Sequence, residues 1–178
     1  AITEFGGEEK ELSVNAFMPP LTLLTGFDFA GAGAWCDAAS PKLYTMHWTV
    51  MIDFWGRQLL AHNADLDERL LVHALANLFD LGDTPPGDSL QSFHYPEPDE
   101  PHPVSDAVQR RRMASAVRQA QGQMAVTPLV HGYGPQNDFL RRFQLVADSD
   151  VDGAWINRYG YLSDAKLDGI GALWRNDA

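Results

Sequence analysis

Met124-Ala125-Val126-Thr127-Pro128-Leu129-Val130, running into His131-Gly132-Tyr133-Gly134-Pro135, is the stretch that decides the fold. It is a short apolar run rich in β-formers, closed by a glycine-bearing loop. A helical pattern follows at once over 136–147, with Phe139, Leu140, Phe143 and Val146 on one face. The unit is therefore strand, loop, helix. Pro128 lacks an N–H for a central ladder, so an irregularity is expected there.

Outward from this unit the same order repeats. Upstream, Leu12-Ser13-Val14-Asn15-Ala16-Phe17-Met18 alternates and stops at Pro19-Pro20, which reads as a strand over 12–18. A short helix is expected within 27–38, weakened by Gly31 and Gly33. Lys42 to Trp48 is dense in β-formers and reads as a second strand, followed by helices over about 50–61 and 66–79. Asn63 or Asp65 is the expected cap of the latter, and Leu70, Leu71, Ala74, Leu75 and Leu78 its buried stripe. Gly82 and Thr84-Pro85-Pro86-Gly87 close it. Ser89 to Tyr95 reads as a third strand, entering the proline-rich acidic loop Pro96 to Pro103. A helix over about 104–121, capped by Ser105, precedes the deciding stretch. Downstream, 153–157 reads as a fifth strand, and a last helix starts at Ser163. Residues 1–11 are a polar end.

Five strand–helix units without a meander predict an α/β protein with a parallel sheet and helices outside it. A closed barrel of eight such units needs about 250 residues, and the chain has 178. The expectation is either the C-terminal part of a (β/α)8 (TIM) barrel or an open five-stranded domain. On the first reading an upstream segment or a partner chain completes the sheet, because edge strands otherwise expose unpaired backbone groups.

Composition narrows the function classes. Charged residues make up 21% and hydrophobic residues 45%, with a net charge of −11, and that acidity argues against nucleic-acid and anionic-membrane partners. Arg110-Arg111-Arg112 and Arg141-Arg142 are the basic clusters, and each reads as a solvated helix face. No apolar run approaches a membrane span, and no signal peptide is evident. A cytoplasmic location and secretion after processing both stay open. Cys36 is the single cysteine and sits in an apolar stretch, as a buried inert thiol would. There is no nucleophile elbow, phosphate-binding loop or dinucleotide fingerprint. No cofactor is implied.

The residues past the strand ends form the candidate site, since functional groups of parallel α/β proteins lie there. They are His47 and Trp48 at the end of the second strand, with Tyr44 inside that strand as a further binding candidate, then His94, Tyr95 and Glu97 at the third, His131 and Tyr133 after the fourth, and Asn157, Arg158 and Tyr159 at the fifth. Aromatic faces beside hydrogen-bonding groups suit sugar rings. His47, His94 and His131 lack any tight ligand spacing, so no metal site is assigned. Glu97, held between prolines, is the candidate acid, with Asp53 and Asp99 as further carboxylates.

Two stretches, Ser40 to Trp48 and Val151-Asp152-Gly153-Ala154-Trp155-Ile156-Asn157-Arg158-Tyr159-Gly160-Tyr161-Leu162-Ser163, carry a resemblance. The first resembles a mid-barrel strand, and the second the closing strand, of bacterial (β/α)8 proteins of the glycoside-hydrolase type. The resemblance spans roughly residues 40–175 and implies carbohydrate hydrolysis. Such enzymes use two carboxyl groups, for which Glu97 and Asp53 are the candidates. The alternative is a non-catalytic carbohydrate-binding or structural module, or a subunit of a larger complex.

Overall fold

The computed structural model describes residues 10–81 and 87–176. The polar stretch over residues 1–9 and the closing segment Gly82 to Pro86 lie outside the described residues. Strand β1 (Ser13–Phe17) is followed by two short helices, α1 (Thr22–Thr25) and α2 (Phe29–Ala32). Then come β2 (Ala38–Leu43), α3 (Thr45–His62) and α4 (Glu68–Leu78). A 3-10 turn over Leu90–Ser92 leads by an irregular loop to α5 (Asp106–Ala120). The chain closes with β3 (Ala125–Val126), β4 (Leu129–His131), α6 (Gln136–Ala147), β5 (Trp155–Asn157), a 3-10 turn over Tyr159–Tyr161 and α7 (Asp164–Asn176).

The expected α/β architecture with a parallel sheet is what forms. Every strand pairing is parallel: β1 with β2, β2 with both β3 and β4, and β4 with β5. β3 and β4 are two halves of one line, broken at Thr127-Pro128, where the irregularity was expected. The order across the sheet is β1, β2, β3/β4, β5, the order of the sequence itself.

Two expected strands are corrected. The second lies at Ala38–Leu43 rather than over 42–48. Tyr44 ends it and Thr45 to Trp48 open α3, where Thr45, Met46, Trp48, Thr49 and Ile52 are buried at helical spacing. The third, over 89–95, does not form. Ser89 instead caps a 3-10 turn by accepting from the Gln91 N–H, and the buried Leu90 and Phe93 stand three residues apart rather than alternating. Among the described residues the sheet has four strand positions, not five, and the two helices expected after the second strand form as α3 and α4, with α3 starting earlier, at Thr45.

Sequence-ordered strands joined by right-handed crossovers put every connection on one face of the sheet. Burial agrees. Ala16, Ala39, Leu43, Val126 and Val130 share one face and belong to the core. They meet Ile52 of α3, Val72, Leu75 and Ala76 of α4, Val108, Met113 and Ala116 of α5, and Phe139 and Phe143 of α6. Each Val, Leu, Ile, Met or Phe among them contributes roughly 1.5–3 kcal/mol by leaving water, and each Ala less. The stripe of α4 is thus Val72, Leu75, Ala76 and then Phe79, while Leu70 and Leu78 are exposed. Its cap is Asp67, which accepts from the Leu70 N–H at 2.9 Å. The opposite face carries Ser13, Asn15, Phe17, Ser40, Lys42, Leu129 and Trp155, of which Ser13, Asn15 and Trp155 are exposed.

Other surface and burial expectations are also revised. Arg112 and Arg142 are fully buried rather than solvated. Cys36 is half-buried and packs against the core. No described helix is long and apolar enough to cross a membrane.

Candidate functional site

Tyr44, His131 and Asn157 stand side by side where β2, β4 and β5 end. His131 pairs in register with Asn157, and Tyr44 follows the β2 residue that pairs with Val130. The period of two places His131 and Asn157 on the open face of the sheet. The rings of Tyr44 and His131 lie 5.0 Å apart, edge to face, and the Asn157 side-chain amide donates to the Tyr44 hydroxyl.

Around this row the aromatic groups continue. His47 lies 5.6 Å from Tyr44 and 5.7 Å from Tyr95. Tyr95 lies 5.3 Å from Tyr133, and Tyr161 lies 5.7 Å from His131 and 5.4 Å from Tyr133. The result is a mouth of imidazoles and phenols drawn from the first turn of α3, the end of β4, the 3-10 turn over Tyr159–Tyr161 and the loops between. Tyr133 donates its hydroxyl hydrogen to the Pro96 carbonyl at 2.9 Å, which ties the proline-rich loop to the end of β4. A cavity of about 200 Å³ opens beside it, lined by Phe17, Lys42, Tyr44, His47, Trp48 and Met51.

The protonation pattern follows from local donors. Nδ1 of His131 accepts from the Tyr133 N–H at 3.1 Å, so the neutral ring carries its hydrogen on Nε2. Burial pushes its pKa down to about 4, helped by His47, Arg142 and Arg158. His102 is buried behind Tyr133, with Nδ1 2.6 Å from the Thr45 hydroxyl. Burial and then Arg142 push it down to about 3. Burial, with Lys42 second, also lowers the pKa of His47. All three imidazoles are therefore held toward the neutral form. Burial raises the Tyr95 and Tyr133 hydroxyls, with Tyr133 and Glu97 respectively the next causes.

Thr45 beside His102 has the look of a hydroxyl nucleophile and its base. Thr45 is 0% exposed, so no substrate reaches it, and the pair is structural.

Below the mouth two buried cations hold the loop at the end of β4. Arg142 donates to the carbonyls of His131 at 3.0 Å and Tyr133 at 2.7 Å. Lys166 donates to those of Gly132 at 2.8 Å and Gly134 at 2.7 Å. Successive carbonyls thus go to alternate cations. Two amides of the loop are occupied as well, Gly132 on the Asn157 carbonyl and Tyr133 on His131, so a phosphate nest is not open here. Gly134 has φ +94, and a Cβ on it would meet His102 Nε2 at 3.0 Å. A side chain at position 134 would therefore strain the backbone and press on that ring.

Of the sequence-predicted residues, Tyr44, His47, Tyr95, His131, Tyr133 and Asn157 converge. Tyr159 is 78% exposed at the rim. Arg158 is exposed, and its amide donates to Asn157 Oδ1. His94 points to Glu100, 3.7 Å away. Trp48 lies in the core, with the Arg112 guanidinium 3.9 Å above its ring. Asp53 is paired with Arg57 at 2.7 Å on α3. Glu97 and Asp99 are exposed on the loop, and the Glu97 amide donates to Glu100 Oε2 at 3.0 Å. Among the described residues no three His, Cys, Asp or Glu side chains converge as metal ligands.

Tyr161, His102, Arg142 and Lys166 were not anticipated. The i,i+4 spacing of Asp138 and Arg142 was the available signal for one of them.

Compared with family profiles, curated proteins and solved structures, the chain has no match.

Proposed function

We propose that this chain binds a neutral carbohydrate at the mouth formed by Tyr44, His131 and Asn157, and that it does so without cleaving it. The row of hydroxyl, imidazole N–H and carboxamide, edged by the rings of Tyr95, Tyr133 and Tyr161, carries the proposal. Neutral imidazoles offer donors and acceptors to sugar hydroxyls without drawing in anions. Ring faces cover the apolar side of a pyranose. Hydrolysis asks for two carboxyl groups flanking one bond. Asp53 is engaged on α3, which leaves Glu97 on the rim as the candidate acid of the hydrolase alternative.

The test is a glycan array followed by calorimetry, with turnover assayed on every glycan bound. Saturable binding without turnover, lost in Tyr44→Ala, supports the reading. Turnover abolished by Glu97→Gln establishes the hydrolase instead. Failure to bind any glycan removes both.

The sheet belongs to the same reading. Its four strand positions run in sequence order, with helices on one side and an open face on the other. We propose that they are part of a (β/α)8 barrel completed by a further segment or partner chain. Light scattering on the 178-residue chain tests this. A stable, cooperatively unfolding monomer argues against it, and association or rescue by added strand–helix units supports it.

A further inference from the structure

The basic run Arg110-Arg111-Arg112 plays no part in the carbohydrate mouth, and its three members have different fates. Arg110 is exposed and pairs with Asp148 at 3.2 Å. Arg111 forms a forked pair with Asp80, Nε at 3.0 Å from both carboxylate oxygens. Arg112 is 1% exposed. One of its nitrogens donates to the Phe79 carbonyl, the group lies over Trp48, and Nε and Nη1 are buried with no partner. No carboxylate bonds to this buried guanidinium, and the pull of nearby Asp80 only partly offsets its desolvation. Burial lowers its pKa to about 9, which still leaves it charged at neutral pH.

This charge forms part of the wall of a cavity of about 490 Å³. The cavity lies between the Pro19-Pro20 turn, the end of α4 and one face of α5. That face presents Arg111, Arg112, Ser115, Arg118 and Gln119, positions that recur at helical spacing. Asn77 and Thr22 add neutral hydrogen-bonding groups. Asp80 is neutralised by Arg111. Asp28, the remaining carboxylate of the lining, caps α2 by accepting from the Ala30 N–H at 3.1 Å. The wall therefore holds a surplus of positive charge in a chain of net charge −11.

We propose that this cavity is an anion site for a small phosphate-bearing ligand, a free phosphate or a phosphomonoester. Arg118 and Ser115 contact the anion, and Arg112, with two nitrogens that no group accepts from, supplies further positive charge behind them. A low-dielectric wall strengthens that attraction relative to the open surface. The site is separate from the carbohydrate mouth, and neither depends on the other.

The test is titration of the full chain with pyrophosphate, inorganic phosphate and glucose 6-phosphate, followed by calorimetry and by the arginine Nε–H resonances. Saturable binding that shifts the Arg112 and Arg118 signals is expected. Arg118→Gln should weaken it ten- to hundredfold, the loss of one charge-assisted hydrogen bond. Arg112→Met should keep the fold, because it removes a buried unpaired charge, and should abolish binding. Arg110→Gln removes the same charge outside the cavity and should leave affinity within twofold. Tighter binding of the phosphomonoester than of phosphate would identify the ester as the ligand class, and the reverse would identify free phosphate. Absence of saturable binding of both inorganic phosphate and glucose 6-phosphate at millimolar concentration overturns the proposal. So does equal weakening by Arg110→Gln and Arg118→Gln, which would mark a general charge effect. Should Arg112→Met not fold, the contrast between the Arg110 and Arg118 variants still decides.

Discussion

Asp138 Oδ2 accepts from Arg142 Nε at 2.8 Å, and neither residue is more than 3% exposed. The pair sits under the mouth and orients the two guanidinium nitrogens that hold the carbonyls of His131 and Tyr133. Its value lies in what it positions, since a buried pair often stabilises no more than an apolar replacement would. Removing one partner is different. Arg142→Met leaves the two carbonyls without this donor and the buried Asp138 with only its Arg141 pair at 2.7 Å, and should cost about 2–5 kcal/mol. Urea unfolding checks this. A loss below about 1 kcal/mol would mean that water or Lys166 takes over the carbonyls.

Stability should fall on mild acidification, from the histidines before the carboxylates. In the unfolded chain a histidine takes up its proton near pH 6.5. In the folded chain His131 does so only at about 4 and His102 at about 3. Below pH 6.5 the unfolded state binds more protons, so stability present above that pH is lost as pH falls. The slope is at most about 1.4 kcal/mol per pH unit for each ring. Melting temperatures between pH 7 and pH 5 measure it. His102→Gln should flatten the slope, and an unchanged slope would show that these rings do not carry it.

The fold was legible where one periodicity dominated. Phe139, Leu140, Phe143 and Val146 mark α6 to the residue, and the alternation around Val14 and Ala16 marks β1. It was illegible where composition and spacing disagreed. Tyr44-Thr45-Met46-His47-Trp48 is made of β-formers, yet Thr45, Trp48, Thr49 and Ile52 recur at helical spacing, and tertiary burial overrides propensity there. The rule that sites lie past parallel strand ends picked out His131 and Asn157, whose strands end within a residue of the expected 130 and 157, whereas Tyr44 was expected inside a strand over 42–48 and instead follows the end of β2. The rule could not find Arg142 or Lys166. Charged side chains are read as surface from sequence, and only packing reveals which carbonyls they satisfy.

Gly56 provides a test of packing against propensity. It lies inside α3, where alanine is intrinsically better by up to about 1 kcal/mol. A Cβ there would come within 2.3 Å of Leu90 Cδ2 and 2.9 Å of Cδ1. Leu90 is 3% exposed in the 3-10 turn, so the whole side chain must move. Overpacking of this kind costs about 1–3 kcal/mol. Gly56→Ala should therefore destabilise by up to about 2 kcal/mol despite the better helix former. Leu90→Val in that background should recover part of the loss. A stabilised Gly56→Ala would show that the turn yields easily.

Tyr161 separates stacking from hydrogen bonding at the mouth. It is 50% exposed, so shortening it leaves the core intact, and unfolding midpoints should move by no more than about 0.5 kcal/mol. Its ring is edge-on to Tyr133 and tilted against His131, which leaves one side open to a ligand. If that ring covers a sugar face, Tyr161→Phe should bind as the parent does. Tyr161→Ala should lose about 0.5–1.5 kcal/mol, roughly two- to tenfold in affinity. Loss in both variants would assign the role to the hydroxyl. Loss in neither would remove Tyr161 from the mouth and confine binding to the row of Tyr44, His131 and Asn157. Calorimetry on the best-bound glycan separates the three outcomes.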